Sequence, residues 1–210
     1  MAPISAIIFD IGNVLIRWDP KNLYKKLITD QQELDWFCRE VVTLDWHTHH
    51  DAGLSMQEGI KNLTAQYPDY ADEIAAFDTR WAETIGDVIG GMQELMQKLE
   101  AQNLPMFAIT NYSAEKYPEF ERDYPFAAYF KDVLVSGREG IVKPAPEIYE
   151  LAIKRFGIIP EQTLFIDDRA ENIHAAAKFG IQGHIFTGYD NLAKELRALN
   201  LLQNLQIPCL

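Results

Sequence analysis

The sequence predicts an α/β protein, a doubly wound parallel sheet with an all-helical segment inserted into it. Three observations carry that expectation. From residue 88 onward, short apolar strand-like runs alternate with helical patterns, the arrangement that covers both faces of a parallel sheet. Between residues 15 and 87 no convincing strand pattern appears, while Trp36, Phe37, Trp46, Tyr67, Tyr70, Phe77 and Trp81 are spread through helical stretches. Four apolar runs also end in polar, chemically capable residues, as strands do where an open α/β sheet meets its ligand. Together these give a Rossmann-like core of residues 1–14 and 88–210 and a helical cap of residues 15–87.

The first run, Ile4 with Ala6 to Phe9, ends at Asp10 and passes into Ile11-Gly12-Asn13-Val14. A carboxylate there leaves a buried strand and enters the loop at its C-terminal edge. In the inserted segment, Asp30 with Glu33 three residues on marks a helix start of capping-box type, with Asp in place of Ser or Thr. The segment follows the first strand's loop directly, so it is expected above Asp10, where it can act as a lid. Met92, Leu95, Met96 and Leu99 share one helical face, which lies on the sheet. Leu104 to Ile109 follows as a strand leading to Thr110-Asn111, and Val133 to Val135 is the next run, with Lys143 just beyond. Pro146 to Phe156 is a helix stopped by Gly157, and Thr163 to Ile166 is a strand leading to Asp167-Asp168. Residues 170–179 form a further helix ended by Gly180, and His184 to Thr187 the final strand.

The 210 residues allow one well-buried core plus an inserted subdomain, and 48% hydrophobic with 24% charged residues is an ordinary globular composition. A net charge of -12 argues against a nucleic-acid partner, which needs a basic footprint, but leaves room for a small anionic substrate at a locally positive site. Cys38 and Cys209 are too few and too far apart for a disulfide framework or thiolate metal cage. Cys209 is also misplaced for prenylation, since it is next to last. With no signal-peptide pattern and no membrane-length apolar run, the expectation is a reduced, cytoplasmic protein without a membrane partner.

In a parallel sheet the four strand ends lie on one edge, so residues more than a hundred positions apart converge there. Their chemistry is complementary. A carboxylate can attack phosphorus or carbon, and paired acids bind Mg²⁺ through oxygen. A hydroxyl, backbone N–H groups and one Lys can hold the oxygens of a phosphoryl group. The segments Phe9-Asp10-Ile11-Gly12-Asn13-Val14, Ile109-Thr110-Asn111, Lys143-Pro144-Ala145-Pro146-Glu147-Ile148-Tyr149 and Phe165-Ile166-Asp167-Asp168-Arg169-Ala170-Glu171-Asn172, in this order, resemble the haloacid dehalogenase superfamily of aspartate-nucleophile hydrolases. The resemblance spans essentially the whole chain, and the inserted segment falls where that family places a small helical cap. It implies a Mg²⁺-dependent phosphatase of a small phosphorylated metabolite. Asp10 would take the phosphoryl group as an aspartyl phosphate, Thr110 and the N–H of Asn111 would bind its oxygens, and Lys143 would neutralise nucleophile and phosphate. Gly12 and Asn13 would line the substrate loop. The metal would be held by Asp10, the carbonyl of Gly12 and Asp168, with Asp167 as a further ligand or the partner of one.

One position departs from the pattern. Most phosphatases of the family carry a second Asp two residues after the nucleophile, which protonates the leaving oxygen; here that position is Gly12. Loss of such a group typically costs ~10²–10⁴-fold in rate, so a leaving group that departs readily as an anion is favoured. Anomeric sugar phosphates fit that requirement, and Phe-Asp-x-Gly-Asn-Val resembles a bacterial branch that includes sugar 1-phosphate phosphatases. The same departure admits two alternatives, a metal-independent 2-haloacid dehalogenase and a phospho-ligand binding protein without turnover. Against the dehalogenase, adjacent carboxylates facing Asp10 repel one another unless a cation neutralises them.

Each residue also has a plainer role available. Thr110-Asn111 suits a strand exit bonded to local backbone, Lys143 a solvated loop, and Asp167-Asp168 the cap of the helix near Ala170. His47, His49, His50 and Asp51 cluster in the cap with spacing that fits no specific metal site, so a surface or substrate-facing role is expected, including supply of the missing acid. Trp18 and Trp46 are expected in cap or hinge packing.

Overall fold

The computed structural model describes residues 3–202, so Cys209 lies outside the described residues. Strand β1 (Ala6–Phe9) is followed by β2 (Ile16–Trp18), helices α1 (Lys21–Tyr24), α2 (Gln31–Trp36), α3 (Leu44–Asp51), α4 (Met56–Gln66) and α5 (Ala71–Thr79), and strand β3 (Ile85–Val88). Then come α6 (Met92–Ala101), β4 (Met106–Thr110), α7 (Tyr117–Asp123), β5 (Phe130–Val135), α8 (Ser136–Glu139), α9 (Pro146–Phe156), β6 (Thr163–Asp167), α10 (Ala170–Ala177), β7 (Gln182–Ile185) and α11 (Tyr189–Ala198).

Five strands form a sheet in the order β5-β4-β1-β6-β7, with every pair parallel. The chain moves from β1 through β4 to β5, then returns to the other side of β1 as β6 and β7. The strand order therefore reverses beside β1, and the crevice at such a reversal is where open α/β sheets bind ligands. Phe9 is in register with Ala108 on one side and Ile166 on the other, so β1, β4 and β6 end almost level.

The period-two pattern of the strands builds two apolar layers. Ile7, Phe9, Met106, Ala108, Leu164 and Ile166 pack with Leu95, Met96 and Leu99 of α6, Phe120 of α7 and Leu192 and Leu196 of α11. Ala6, Ile8, Phe107, Ile109, Leu134 and Phe165 face Ile148, Tyr149 and Ala152 of α9 and Ile173 and Ala176 of α10. Each fully buried aliphatic side chain contributes about 1.5–3 kcal/mol, which fixes the sheet edge as a rigid platform. Gly157, left-handed at φ 63°, ends α9.

The helices between β2 and β3 share the first of these layers through Leu23, Tyr24, Phe37, Trp46, Phe77 and Trp81. Two polar ties hold them to the core. Met56 N donates to Glu115 Oε1 at 3.0 Å, and the Lys116 ammonium reaches the Asp78 carboxylate at 2.6 Å. At the start of α2, Asp30 accepts from Glu33 N at 2.8 Å, while the Glu33 carboxylate accepts from Tyr70 O–H instead of closing the capping box.

The structure corrects three expectations. Residues 15–87 are not strandless, because β2 and β3 pair as an antiparallel ribbon. Three residues of β2 and the Ile-Gly-Asp-Val of β3 are too short, and too poor in strand-forming residues, to show alternation. The final strand begins earlier, at Gln182, where Gly183 allows α10 to approach: a Cβ there would lie 2.3 Å from Ile173 Cγ2. Helix α10 ends at Ala177 rather than at residue 179. No helix among the described residues is long and apolar enough to cross a membrane.

Candidate active site

Asp10 follows β1 and donates its own N–H to Ile166 O at 2.8 Å, so it stands beside the end of β6, which carries Asp167. Its Oδ1 accepts from Ile11 N at 2.6 Å, and its Oδ2 meets Lys143 Nζ at 2.9 Å. The same ammonium meets Asp167 Oδ2 at 2.7 Å. Lys143 is buried, which opposes its charge, but Asp10 and Asp167 outweigh that and raise its pKa above the usual lysine value. Burial pushes the Asp10 carboxyl up to about 7, with Asp167 and Asp168 adding to the shift and Lys143 opposing it.

Asp167 is fully buried and committed to protein partners. Its oxygens accept from Arg169 N at 2.8 Å and from Asn172 Nδ2 at 2.9 and 3.0 Å, besides Lys143. The bond from Arg169 N shapes the turn ahead of α10, whose N-cap is Arg169 itself with no side-chain cap, so Asp167 does not cap that helix. Asp168, half-buried, faces the cavity, and burial followed by the neighbouring Asp167 raises its pKa. Oxygens of Asp10, Asp167 and Asp168 lie within 4.8 Å of one another, the only such group of metal-capable side chains found among the described residues.

Asn111 plays a part that strand-exit chemistry does not suggest. Its Oδ1 accepts from Lys143 N at 2.8 Å and its Nδ2 donates to Lys143 O at 3.0 Å. This reciprocal pair bridges 32 residues and fixes the backbone from which Lys143 projects. The bond is not to local backbone, so the plainer reading of Asn111 does not hold. Thr110, the last residue of β4, is buried and does not itself line the cavity. Lys143 likewise is no solvated loop residue.

The cavity above this cluster measures about 340 Å³. Asp10, Gly12, Asn13, Asn111, Asp168 and Arg169 form its floor. Asn13 holds a left-handed φ of 56° and accepts from Trp18 N at 3.1 Å, which ties the loop after β1 to the ribbon. Much of the remaining wall is apolar and aromatic, with Ile16, Trp18 and Ile85 from the ribbon, Trp81 beside it, and Leu44, Met56 and Phe77 from the helices, while α3 adds polar and titratable groups. Trp18 therefore faces the cavity as well as packing against His47, whereas Trp46 is core, with its indole N–H donating to Gly59 O at 3.4 Å.

The histidines separate. His49 is exposed, while His47 and His50 are buried against Trp46 and Phe77 and line the cavity. Burial, then the nearby His50, lowers the His47 pKa to about 3. Neither of its ring nitrogens forms a well-aligned hydrogen bond, the Val42 backbone offering only a poor contact. His50 Nδ1 meets Leu54 O at 3.1 Å, leaving Nε2 without a partner. Asp51 ends α3 and lines the same cavity, and burial raises its pKa to about 7 against the pull of Lys143. The sequence alone assigns the Asn172 side chain no role, points the Asn111 side chain to local backbone, and marks nothing of the cavity's aromatic wall beyond the histidine cluster.

Comparison with known proteins agrees with this geometry. The model of the haloacid dehalogenase-like hydrolases matches residues 4–180. Flavin mononucleotide hydrolase 1 of Arabidopsis thaliana is 36% identical over 120 residues, which cover 57% of this chain but only 48% of that protein. A sesquiterpene phosphatase of Aspergillus oryzae is 26% identical over 197 residues, covering 93% of this chain and 96% of its own. Among solved structures, a HAD family enzyme from Bacteroides thetaiotaomicron in complex with magnesium and inorganic phosphate superposes with a TM-score of 0.68 at 21% identity, over 88% of this chain and 95% of that one. A predicted HAD-like hydrolase from Porphyromonas gingivalis gives 0.72 at 22% identity, over 96% and 100%.

Proposed function

The chain belongs to the haloacid dehalogenase-like hydrolases, and on that premise we propose that it is a Mg²⁺-dependent phosphatase of small phosphate monoesters. Asp10 is the nucleophile. The observation that carries this reading is the Asp10–Lys143–Asp167 chain at the strand-order reversal, with Asp168 beside it and a cavity above. Two phosphatase or phosphohydrolase relatives support the same reaction class.

The side chains divide the work. Lys143 draws charge from Asp10 and holds its carboxylate in place, Asp167 and Asn172 fix the ammonium, and Asn111 fixes the Lys143 backbone. An Asp10 oxygen attacks phosphorus, the P–O bond to the leaving group breaks, and water then attacks phosphorus to free Asp10. The N–H of Asn111 holds a phosphoryl oxygen, with Thr110 buried behind it at the end of β4 and Gly12 and Asn13 forming the loop above.

The donor set fits magnesium. Three carboxylates face one ammonium, an excess of two negative charges when all are ionised, and hard oxygen donors are what Mg²⁺ selects. Asp10, Asp168 and the Gly12 carbonyl would hold it, with Asp167 behind them. When bound, the ion neutralises the acids and polarises the phosphoryl oxygens. The same excess charge disfavours the metal-independent dehalogenase, whose halide displacement has no need of clustered acids.

The metabolite is a small phosphorylated compound handled in the cytoplasm, and the acidic surface gives nucleic acid no footprint. Phosphate release from glucose 1-phosphate, compared with glucose 6-phosphate, tests whether leaving-group acidity governs choice; a clear preference for the 6-phosphate sinks the anomeric reading. Trapping of Asp10 by a phosphate analogue, with and without Mg²⁺, tests the reaction class. Metal-independent halide release would replace it with the dehalogenase, and ligand binding without turnover would replace it with the binding protein.

A further inference from the structure

Gly12 offers no proton, yet the cavity above it contains titratable groups that the reaction described so far does not use. Four of them come from α3: Asp45, His47, His50 and Asp51. The Asp45 side chain is 86% exposed and beside His49, so it points to solvent. His47 is held neutral by burial among aromatic rings, and His50 is bonded through Nδ1 to Leu54 O. A pKa of about 3 removes His47 from proton transfer near neutral pH, and the His50 ring is packed edge-on against α4, where a Cβ at Gly59 would lie 2.6 Å from its Nε2, with burial lowering its pKa as well. Asp51 differs from all three.

Asp51 is the last residue of α3, and the chain just after it is clamped to the core. Helix α3 packs on α8, which directly follows β5 at the ligand-binding edge of the sheet. A Cβ at Gly53 would lie 3.3 Å from Gly137 O, and one at Gly140 would lie 3.9 Å from Ala52 O, so backbone meets backbone on both sides of that joint. The start of α4 is tied to the loop after β4 by the Met56 N to Glu115 bond of 3.0 Å. Asp51 is thereby positioned on the wall of the cavity that Asp10, Gly12 and Asp168 line from below, close enough to Lys143 to feel its charge.

We propose that Asp51 is the acid and base missing at Gly12: it protonates the leaving oxygen, then takes a proton from the attacking water. This rests on the phosphatase reading above. In the first step the Asp10 Oδ–P bond forms, the P–O bond to the leaving group breaks, and the Asp51 proton passes to the departing alkoxide. In the second, water oxygen bonds to phosphorus, the Asp10 Oδ–P bond breaks, and one water proton passes to Asp51, restoring the Asp10 carboxylate and the Asp51 acid. The groups around Asp51 suit this cycle. Burial favours its protonated form, and Lys143, the charged group that opposes this, keeps the carboxylate accessible. His47 and His50 on its own helix, Tyr112 after β4, and Asp168 with Arg169 after β6 complete the titratable and charged surroundings. The effect is a proton donor supplied by the cap, so that chemistry on poor leaving groups requires the cap to be seated.

The test compares p-nitrophenyl phosphate, whose leaving group needs no proton, with benzyl phosphate, similar in size but leaving as an alkoxide. In Asp51→Asn, kcat/KM on benzyl phosphate is expected to fall about 10²-fold or more while that on p-nitrophenyl phosphate changes about threefold or less. Its kcat on p-nitrophenyl phosphate should fall as aspartyl phosphate accumulates, and the alkaline limb of the benzyl phosphate pH profile should vanish. Because a Cβ at Gly12 would have nothing within 4 Å, Gly12→Asp added to Asp51→Asn can carry a second acid; it should restore part of the benzyl phosphate activity. Equal losses on both substrates, no loss on either, or no rescue with an unchanged pH profile would overturn the assignment while leaving the phosphatase reading intact. Wild-type protein inactive on both esters with Mg²⁺ present would overturn that reading itself, and this one with it.

Discussion

On the floor of the cavity, Asp10, Lys143 and Asp167 are locked to one another at 2.7–2.9 Å, whereas on the cap side His47 has no well-aligned hydrogen bond and Asp51 is opposed only by a charge. The floor is preorganised: its charges are placed before any ligand arrives, on strand ends that the two apolar layers hold rigid. The cap side spends its polar groups differently. A buried polar atom without a partner costs about 1–3 kcal/mol, and here that cost is offset by the aromatic packing of Trp18, Trp46, Phe77 and Trp81. The difference implies that the floor carries phosphoryl transfer, whereas the cap side governs which leaving group, and so which molecule, undergoes it.

The sharpest way to break that division is at the nucleophile. Asp10→Asn keeps the shape of the site and should lower phosphate release about 10⁴-fold or more, with no aspartyl phosphate trapped. Residual turnover above one percent would move the chemistry elsewhere. Next in size is Lys143→Met, which leaves Asp10 and Asp167 buried and unneutralised. Removing one partner of a buried ion pair costs about 3–5 kcal/mol, so the thermal midpoint should drop by roughly 6–20 °C along with activity. A variant as stable as wild type would show that the floor is not held by this ammonium.

The same contrast explains what could be read from the chain alone. Asp10, Lys143, Asp167 and Asp168 were legible because each follows an apolar run, and parallel strand ends must converge on one edge. The wall was not, because α3 reads Leu-Asp-Trp-His-Thr-His-His-Asp and its buried face is Trp46, His47 and His50. A face made of histidines has no apolar periodicity to recognise. The ribbon failed for length, since Ile16–Trp18 offers too few residues to alternate. Asn111 is legible as a strand-exit residue, but its side chain is not: strand-exit chemistry points to local backbone, whereas its partner lies 32 residues on, a contact that only the packed sheet creates.

Asn111→Ala therefore measures how much of the floor's order comes from bracing rather than from charge. With both bonds to the Lys143 backbone lost, turnover should fall about 10–100-fold, as when groups behind a metal ligand are removed, while Asp10 still accepts phosphate. An effect confined to KM would instead place Asn111 among the groups that bind substrate directly.

Metal binding gives the smallest and most diagnostic effect, because the floor's acids must give up their protons to take the ion. With the Asp10 pKa raised from 3.8 to about 7, the folded protein binds a proton that the unfolded chain has already released between those values. Its stability without metal therefore falls as pH rises through that window, and the penalty is complete above pH 7. Magnesium must displace that proton at low pH but not at high pH, so its apparent affinity weakens about tenfold for each unit below 7. At a concentration about 100 times its Kd at pH 8, it should stabilise the fold by about 2.7 kcal/mol, or roughly 5–10 °C. At pH 5 the same concentration is near the weakened Kd and should give about 0.4 kcal/mol, or about 1 °C. In Asp10→Asn both shifts should shrink, and the pH dependence should weaken to what Asp168 alone supplies. Equal stabilisation at pH 5 and pH 8 in wild type would mean that the ion binds away from these carboxylates, and the division between a charged floor and an apolar wall would have to be redrawn.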